Sequence, residues 1–383
     1  MPASPQQSAQ DRANQNAAAR SIVLQNSVKM VQQIGSLSVN PANQNVINFQ
    51  PRNVGLTLGF LVVVSATVAN AAGSAAALSP FGPANMVQQL TYTDLQNLNR
   101  VQTTGAHLAL LNSAKQGFVF GGAYPSGTPL AYGNNFDVMD GAASLAASAT
   151  GKVKTMLWVP LAYGATDLRG ACYTNVVNAT QNLQIVLNQN PFNADGSDKY
   201  NSVYNGNAGG YSGNVVVTIF QVYRDQIPFN NGMPILPIDD LNIVYDLKNT
   251  NLSGITANAD FTYAYPNMRQ FLSTFALFRN GATIGYGADV NYWSITSANS
   301  TELLKATPDV IALFARQTFM GDPPAGAYYF DHRDKPIDTI TFGNMALNLN
   351  ASTVNAGASV SILTEAFQQT NQIPYAASLS LGA

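Results

Sequence analysis

No charged residue stands between Arg52 and Asp94, and within that interval residues 56–68 are almost wholly apolar. A run of this kind can become a membrane span, a buried helix or a long sheet strand, and the spacing of its residues separates the three. Leu56, Leu58, Phe60, Val62, Val64, Ala66 and Val68 recur at every second position, with Thr57, Gly59, Ser65 and Thr67 among the residues between them. Period two puts alternate side chains on opposite faces of an extended chain, and β-branched residues suit that pleated surface. Asn70, Gly73 and Ser74 break the run with no close basic flank, which argues against a stop-transfer segment. The chain is therefore expected to be organised around sheets.

Shorter apolar or alternating runs follow at 86–92, 107–111, 155–160, 183–187 and 215–223, and a second set at 261–265, 271–278, 327–330, 337–342, 345–349 and 359–367. Each is bounded by Gly, Pro or Asn, the all-β pattern, and two sets in a chain of 383 residues imply two β-sandwiches in tandem. Between them residues 226–247 carry Pro228, Pro234 and Pro237 with Asn230, Asn231 and Gly232, a stiff connector that should hold the two units in fixed relation. Thr166 with Asp167 is expected to open one short helix, and Thr307, Pro308 and Asp309 another through Phe314. Residues 188–213, with Gly206, Gly209, Gly210 and Gly213, read as a long loop.

Ahead of the first strand, Ser8 and Asp11 resemble a capping box, and Val23, Leu24, Val28, Val31 and Ile34 form a stripe, so a helix ending at Gly35 is expected. Its first half has almost nothing to bury and should be ordered only by docking elsewhere, so removal of residues 1–34 should leave the subunit folded. The expected division is an N-terminal helical arm over 1–49, a first sandwich with its connector over 50–240, and a second sandwich over 241–383.

Charged residues make up 10% of the chain, where about 25% is usual, and the formal net charge is −2. A neutral surface rich in Asn, Gln, Ser and Thr suits self-association, since little charge keeps copies apart, and it equally suits an Asn-rich soluble protein. With 18 Lys and Arg against 20 Asp and Glu and no dense basic cluster, the footprint of a nucleic-acid-binding protein is missing. Cys172 is the only cysteine, so no intrachain disulfide can form, as in a reducing compartment, and residues 1–20 lack the cationic and apolar segments of a secretory signal. Synthesis and assembly in the cytoplasm are expected.

The chemistry-bearing residues are few. Two histidines, His107 and His332, leave little room for a His-based metal site or triad. His107 sits in an apolar run and reads as a packed strand residue. His332 sits in Asp331-His332-Arg333-Asp334-Lys335-Pro336, where alternating charges point to a salt-bridged turn rather than a cation site. Residues 193–198 resemble a calcium loop but lack the distal Glu. Gly285-Tyr286-Gly287 follows no parallel α/β unit, and adjacent Asp239 and Asp240 point to opposite faces of an extended chain, so they read as caps for the turn at 241–247. Cys172, with no histidine in its run, reads as an inert packed residue. No catalytic, cofactor-binding or metal-ligating residue is nominated, and no cofactor is expected. A carbohydrate-binding sandwich, with Tyr200, Tyr204 and Tyr211 stacking on sugars, is the alternative reading.

Several blocks carry a more specific resemblance: Arg20-Ser-Ile-Val-Leu-Gln25, Phe81-Gly-Pro-Ala-Asn85, Ala114-Lys-Gln-Gly117, Trp158-Val-Pro-Leu-Ala-Tyr163 with Thr166-Asp-Leu168, and Tyr223. They continue with Ile235-Leu-Pro237, Tyr245-Asp-Leu247, Leu272-Ser-Thr274, Tyr328-Tyr329, Arg333-Asp-Lys-Pro-Ile337 and Gly343-Asn344. In order and approximate spacing the chain resembles the major capsid proteins of tectiviruses, bacteriophages with a membrane beneath an icosahedral shell. The resemblance runs from Arg20 to about Phe367 and leaves residues 1–19 and 188–213 unmatched. It implies a double jelly roll of two eight-stranded sandwiches and a homotrimer of pseudo-hexagonal outline. It further implies an N-terminal helix facing the internal viral membrane, minor capsid and vertex proteins as partners, and residence in the virion. It brings no catalytic residues: Arg333 and Lys335 would hold a turn or subunit contact, and Pro83 and Pro160 would fix strand ends. Read without the resemblance, the residues leave capsid subunit and lectin both open.

Overall fold

The computed structural model describes residues 5–116, 139–175, 180–193, 201–206, 208–281, 283–297, 302–319 and 326–369. Sixteen strands of four residues or more and three helices longer than one turn carry the architecture of these residues. In the first half they are α1 (Pro5–Asn26), β1 (Val28–Val39), β2 (Val46–Phe49), β3 (Leu56–Asn70), β4 (Val87–Thr93), β5 (Asn99–Thr103), α2 (Gly105–Gln116), β6 (Thr150–Pro160), β7 (Asn182–Leu187) and β8 (Val215–Asp225). A one-turn helix, α3 (Ile238–Leu241), leads into the second half. There follow β9 (Ile243–Ser253), β10 (Asp260–Ala264), β11 (Gln270–Asn280), β12 (Val290–Ser297), β13 (Glu302–Ala306), α4 (Pro308–Phe319), β14 (Ala327–Asp331), β15 (Met345–Ala351) and β16 (Ser359–Gln369).

The two halves have the same strand order. In the first, β1-β8-β3-β6 faces β2-β7-β4-β5; in the second, β9-β16-β11-β14 faces β10-β15-β12-β13, each strand standing eight places after its counterpart. Pairing among these strands within each half is antiparallel, the jelly-roll arrangement. The halves are joined by one parallel pairing, Leu247 and Lys248 of β9 against Val101 and Gln102 of β5, so a single sheet runs through both.

β3 has the alternation its sequence announces. Phe60, Val62, Val64 and Val68 are fully buried in the sandwich core. That core continues past the first sandwich: α2 buries Leu108, Leu110 and Leu111 in a cluster that also holds Leu247, Phe275, Leu277, Leu363 and Phe367 of the second. A separate core fills the second sandwich around Trp293, Phe271, Phe278 and Tyr328. Burial of this much apolar surface between the units fixes their relation, at roughly 25 cal/mol per Å² removed from water.

Several expectations are corrected. The N-terminal helix starts by Pro5, so Ser8 lies inside it, and it stops at Asn26 rather than Gly35; Val28, Val31 and Ile34 lie in or along β1, which pairs with β8 from Val28 to Val39. Strands drawn from residues 28–49 therefore belong to the first sandwich. Residues 107–111 form part of a helix, because α2 is wrapped on all sides and needs no polar stripe. Thr166 and Asp167 open no helix; Thr166 stands in a bend and Asp167 in irregular backbone ahead of a turn at Arg169. The connector ends at Asn242, since 243–253 is a strand. The run at 337–342 pairs only at Ile337 and Asp338. Strand β12, where Asn291, Ser294 and Thr296 interrupt Val290, Trp293 and Ile295, and strand β13, which carries Glu302 and Lys305, were not expected. The helix from Pro308 extends past Phe314 to Phe319.

Candidate functional site

The residues that could carry chemistry are used as joints. His107, on α2, is buried: Asn249 Nδ2 donates to its Nδ1 at 2.8 Å, Thr104 Oγ1 lies 2.9 Å from the same nitrogen, and its Nε2 donates to the Ser361 carbonyl at 3.3 Å. Burial pulls its pKa down to about 4, against the Ser361 carbonyl, so it is a neutral side chain tying α2 to β9 and β16. It is a packed residue, as expected, though of a helix. His332 is half-buried, with its pKa pulled down to about 4 by desolvation against the charge of Asp331, and its buried Nε2 has no partner among the described residues.

Beside it Arg333 forks onto Asp331, Nε donating at 2.8 and 3.0 Å, while the Arg333 backbone N–H donates to the same carboxylate at 3.0 Å. This is the salt-bridged turn the hexad implies. The same device stands at Asp167, where Arg169 Nε donates to both carboxylate oxygens at 3.0 Å and its guanidinium lies 4.5 Å from the Phe367 ring centroid.

Lys115 and Glu365 form a largely buried charge network at the junction. The Lys115 ammonium contacts the Glu365 carboxylate, donates to the Tyr245 hydroxyl at 2.8 Å and lies 4.2 Å from the Tyr163 ring centroid. Glu365 accepts from Tyr245 Oη and Ser273 Oγ, each at 2.5 Å. Burial lowers the Lys115 pKa and Glu365 raises it back in part. Such a network, hydrogen-bonded at each member, is stable only in one arrangement of the two sandwiches. Lys115, Tyr163, Tyr245 and Ser273 all come from blocks that carry the sequence resemblance, which had given no hint that they meet.

Asp239 and Asp240 cap no turn; they hold α1. Arg12 Nη2 and Nε reach Asp239 at 2.5 and 2.9 Å, Arg20 Nε and Nη2 reach Asp240 at 2.6 and 2.7 Å, and Asn16 bonds to both. Val23, fully buried, seats the end of the helix. Cys172 is buried, with its thiol pKa pushed up by desolvation, the inert state expected. The sugar-stacking reading loses its residues: Tyr204 is fully buried, stacked 5.5 Å from Phe192, with its hydroxyl donating to Ala142. The Tyr211 hydroxyl is also buried, and Tyr200 and most of the calcium-like loop, 194–198, lie outside the described residues. Among the described residues no group of His, Cys, Asp and Glu could hold a metal ion, and no helix is long and apolar enough to cross a membrane.

What the molecule does offer is surface. The outer face of β1-β8-β3-β6 carries an apolar patch at one end, with Ser65, Lys152 and Lys154 beyond it: Phe220, Leu61 and Trp158 lie in one cross-strand row, with Val63 and Met156 in the next and Val31, Val222 and Pro160 on the other side. The Trp158 indole lies over Gly59, where a Cβ would stand 2.6 Å from the ring. A cavity of about 410 Å³ opens here, between this face and Lys115 and Tyr163. Further exposed apolar side chains stand on α4 at Val310, Leu313 and Phe314, and at Phe229, Met233, Met268 and Phe342. Exposed apolar area on this scale marks contact surface.

Comparison with known proteins agrees. A family model described as the N-terminal part of the P3 major capsid protein matches residues 3–227, and one for its C-terminal part matches residues 242–381. The chain is 39% identical over 371 residues to the major capsid protein P3 of Enterobacteria phage PRD1, covering 95% of this chain and 94% of that protein. Among solved structures, the major capsid protein of Sulfolobus turreted icosahedral virus superposes with a TM-score of 0.65 at 13% identity, over 92% of this chain and 99% of that one. The major capsid protein P2 of bacteriophage PM2 gives 0.50 at 9% identity, over 91% and 100%. These two likenesses show the fold, a double jelly roll.

Proposed function

The chain belongs to the P3 major capsid protein family, so its role is structural in a virion shell, and from that premise we propose that it assembles as a homotrimer of pseudo-hexagonal outline tiling an icosahedral capsid around an internal membrane. The observation that carries the reading is that both halves match the family in order while repeating one strand plan, so that each copy contributes two like sandwiches to a ring. Three copies then present six similar units, and closed rotational symmetry is the usual solution for identical chains. The charge-poor surface supports large neutral contacts. The N-terminal segment, with α1 docked at the connector, is the part we assign to the membrane side, and minor capsid and vertex proteins are the further partners.

Light scattering on the purified protein tests the oligomer. A homotrimer has three times the 40.6 kDa chain mass, about 122 kDa, and a stable 40.6 kDa particle would refute it.

A further inference from the structure

Among the described residues, the exposed large apolar side chains carried by the connector and by loops all stand at one end of the molecule, Tyr286 excepted. That end is set by the strands. β8 finishes at Asp225 opposite Val28, where β1 starts, and β16 finishes at Gln369 opposite Ile243, where β9 starts. α1 touches both places: Arg224 Nη1 donates to the Leu24 carbonyl at 3.3 Å, and Arg20 Nε donates to Asp240 at 2.6 Å. The connector at 226–242 therefore spans the same end of both sandwiches. The loop ahead of β11 and the loop between β14 and β15 arrive there too, since Gln270 is opposite both Phe367 and Asp338. The two loops are laced together: the Arg269 N–H donates to Thr339 Oγ1 at 3.0 Å, and the Thr339 N–H donates to the Arg269 carbonyl at 2.9 Å.

Phe229, Met233 and Ile238 on the connector and Met268, Ile340 and Phe342 on these loops are between 41% and 65% exposed among the described residues. Met268 is held with a φ of 62°, a left-handed backbone that residues with side chains seldom adopt. At the opposite end, the described parts of 40–45, 71–86, 188–214, 254–259, 281–289 and 352–358 expose one large apolar side chain, Tyr286. α1 adds nothing to the apolar end: from Gln6 to Arg20 it has no apolar side chain larger than alanine, and Val23 and Leu24 pack into their own subunit. Exposed charges at this end balance, Lys29, Arg52 and Lys335 standing with Asp225 and Asp334. Exposed apolar side chains grouped on one face mark a protein or membrane contact. A second copy stacked head to tail would meet this end with only Tyr286, and copies in one shell stand the same way up, so the favoured occupant is a lipid surface.

We propose that the connector and these two loops, and not α1, enter the lipid: Phe229, Met233, Ile238, Met268, Ile340 and Phe342 wedge between the headgroups of a bilayer lying against this end. The inference rests on the membrane-side reading above and assigns the contact to different residues. Because the local charges cancel, the attraction is apolar and needs no anionic lipid.

The test uses the full chain and phosphatidylcholine vesicles with brominated acyl chains. Wild-type protein should float with the vesicles, with or without added phosphatidylglycerol. The Phe229→Ser/Met268→Ser/Phe342→Ser variant should partition about tenfold more weakly or worse, with circular dichroism and particle mass unchanged, while Tyr286→Ser binds as wild type. Phe342→Trp should gain fluorescence that the brominated chains quench, and Ala13→Trp, on α1, should not. Quenching at Ala13→Trp and none at Phe342→Trp makes α1 the inserted element, which overturns this contact and leaves the membrane-side reading standing. A triple variant that floats as wild type overturns it too, as does one whose particle mass falls, which would put these side chains between copies. Flotation that appears only after removal of residues 370–383 gives the face to that tail and overturns it likewise. A wild type that floats under none of these conditions overturns the membrane-side reading as well.

Discussion

Lys115 and Glu365 stand on different sandwiches, and each is the other's charge partner at the junction, the Glu365 side chain 1% and the Lys115 side chain 17% exposed. Glu365→Gln keeps the shape but leaves the ammonium buried without a counter-charge. Loss of one member of a buried pair costs about 3–5 kcal/mol, so the thermal midpoint should fall by several degrees. An unchanged midpoint would show the pair to be dispensable. The histidines act through pH. His107 and His332 both have folded pKa values pulled down to about 4 by burial, against about 6.5 in an unfolded chain. The unfolded state therefore takes up protons first, and stability present above pH 6.5 is lost as pH falls towards 4, by about 3 kcal/mol for each histidine. His332→Leu, replacing a ring whose Nε2 has no partner among the described residues, should flatten that loss between pH 6.5 and 4 in a series of melting curves. An equal slope in variant and wild type would remove His332 from the account.

At the scale of elements, α1 and β1 divide what the sequence presents as one segment. α1 is attached by Arg12, Asn16, Arg20 and Val23, whereas β1 covers the edge of β8 along Val28–Val39. Two truncations should therefore differ. Removal of residues 1–26 should leave a folded particle with a lower melting midpoint. Removal of 1–34 strips the partners of Phe220, Val222 and Tyr223 and should give aggregation, read as loss of the discrete peak in size-exclusion chromatography. Equal behaviour of the two would mean that β1 contributes no more than the helix. The period-two pattern of β3 was legible because one of its faces is built for the core. α2 was not, because a helix buried all round has no stripe, and a five-residue apolar run suits helix and strand alike. β9 and β13 were missed for the opposite reason: they carry charge, and Asp246 of β9 is buried between Lys248 at 3.6 Å and Arg269 at 3.1 Å.

For the whole molecule, contacts between copies should depend little on salt, since charged residues are 10% of the chain and the exposed patches are apolar. The particle mass should hold from ~0.01 M to ~1 M salt, a range over which screening collapses from about 30 to 3 Å; dissociation at the high end would show that ion pairs carry the assembly.

What the sequence determined by itself is whatever depends on neighbours along the chain. The all-β class, two tandem sandwiches, the long strand at 56–68, the turn around Asp331 and Arg333, and the resemblance to tectivirus capsid proteins are of this kind. Only the tertiary structure decided that α1 stops at Asn26, that Asp239 and Asp240 receive Arg12 and Arg20, that Tyr204 is buried, and that Lys115 meets Glu365 between the sandwiches. In those cases the partner lies far away in sequence, so the same local residues fit several outcomes, and burial against a distant surface selects one.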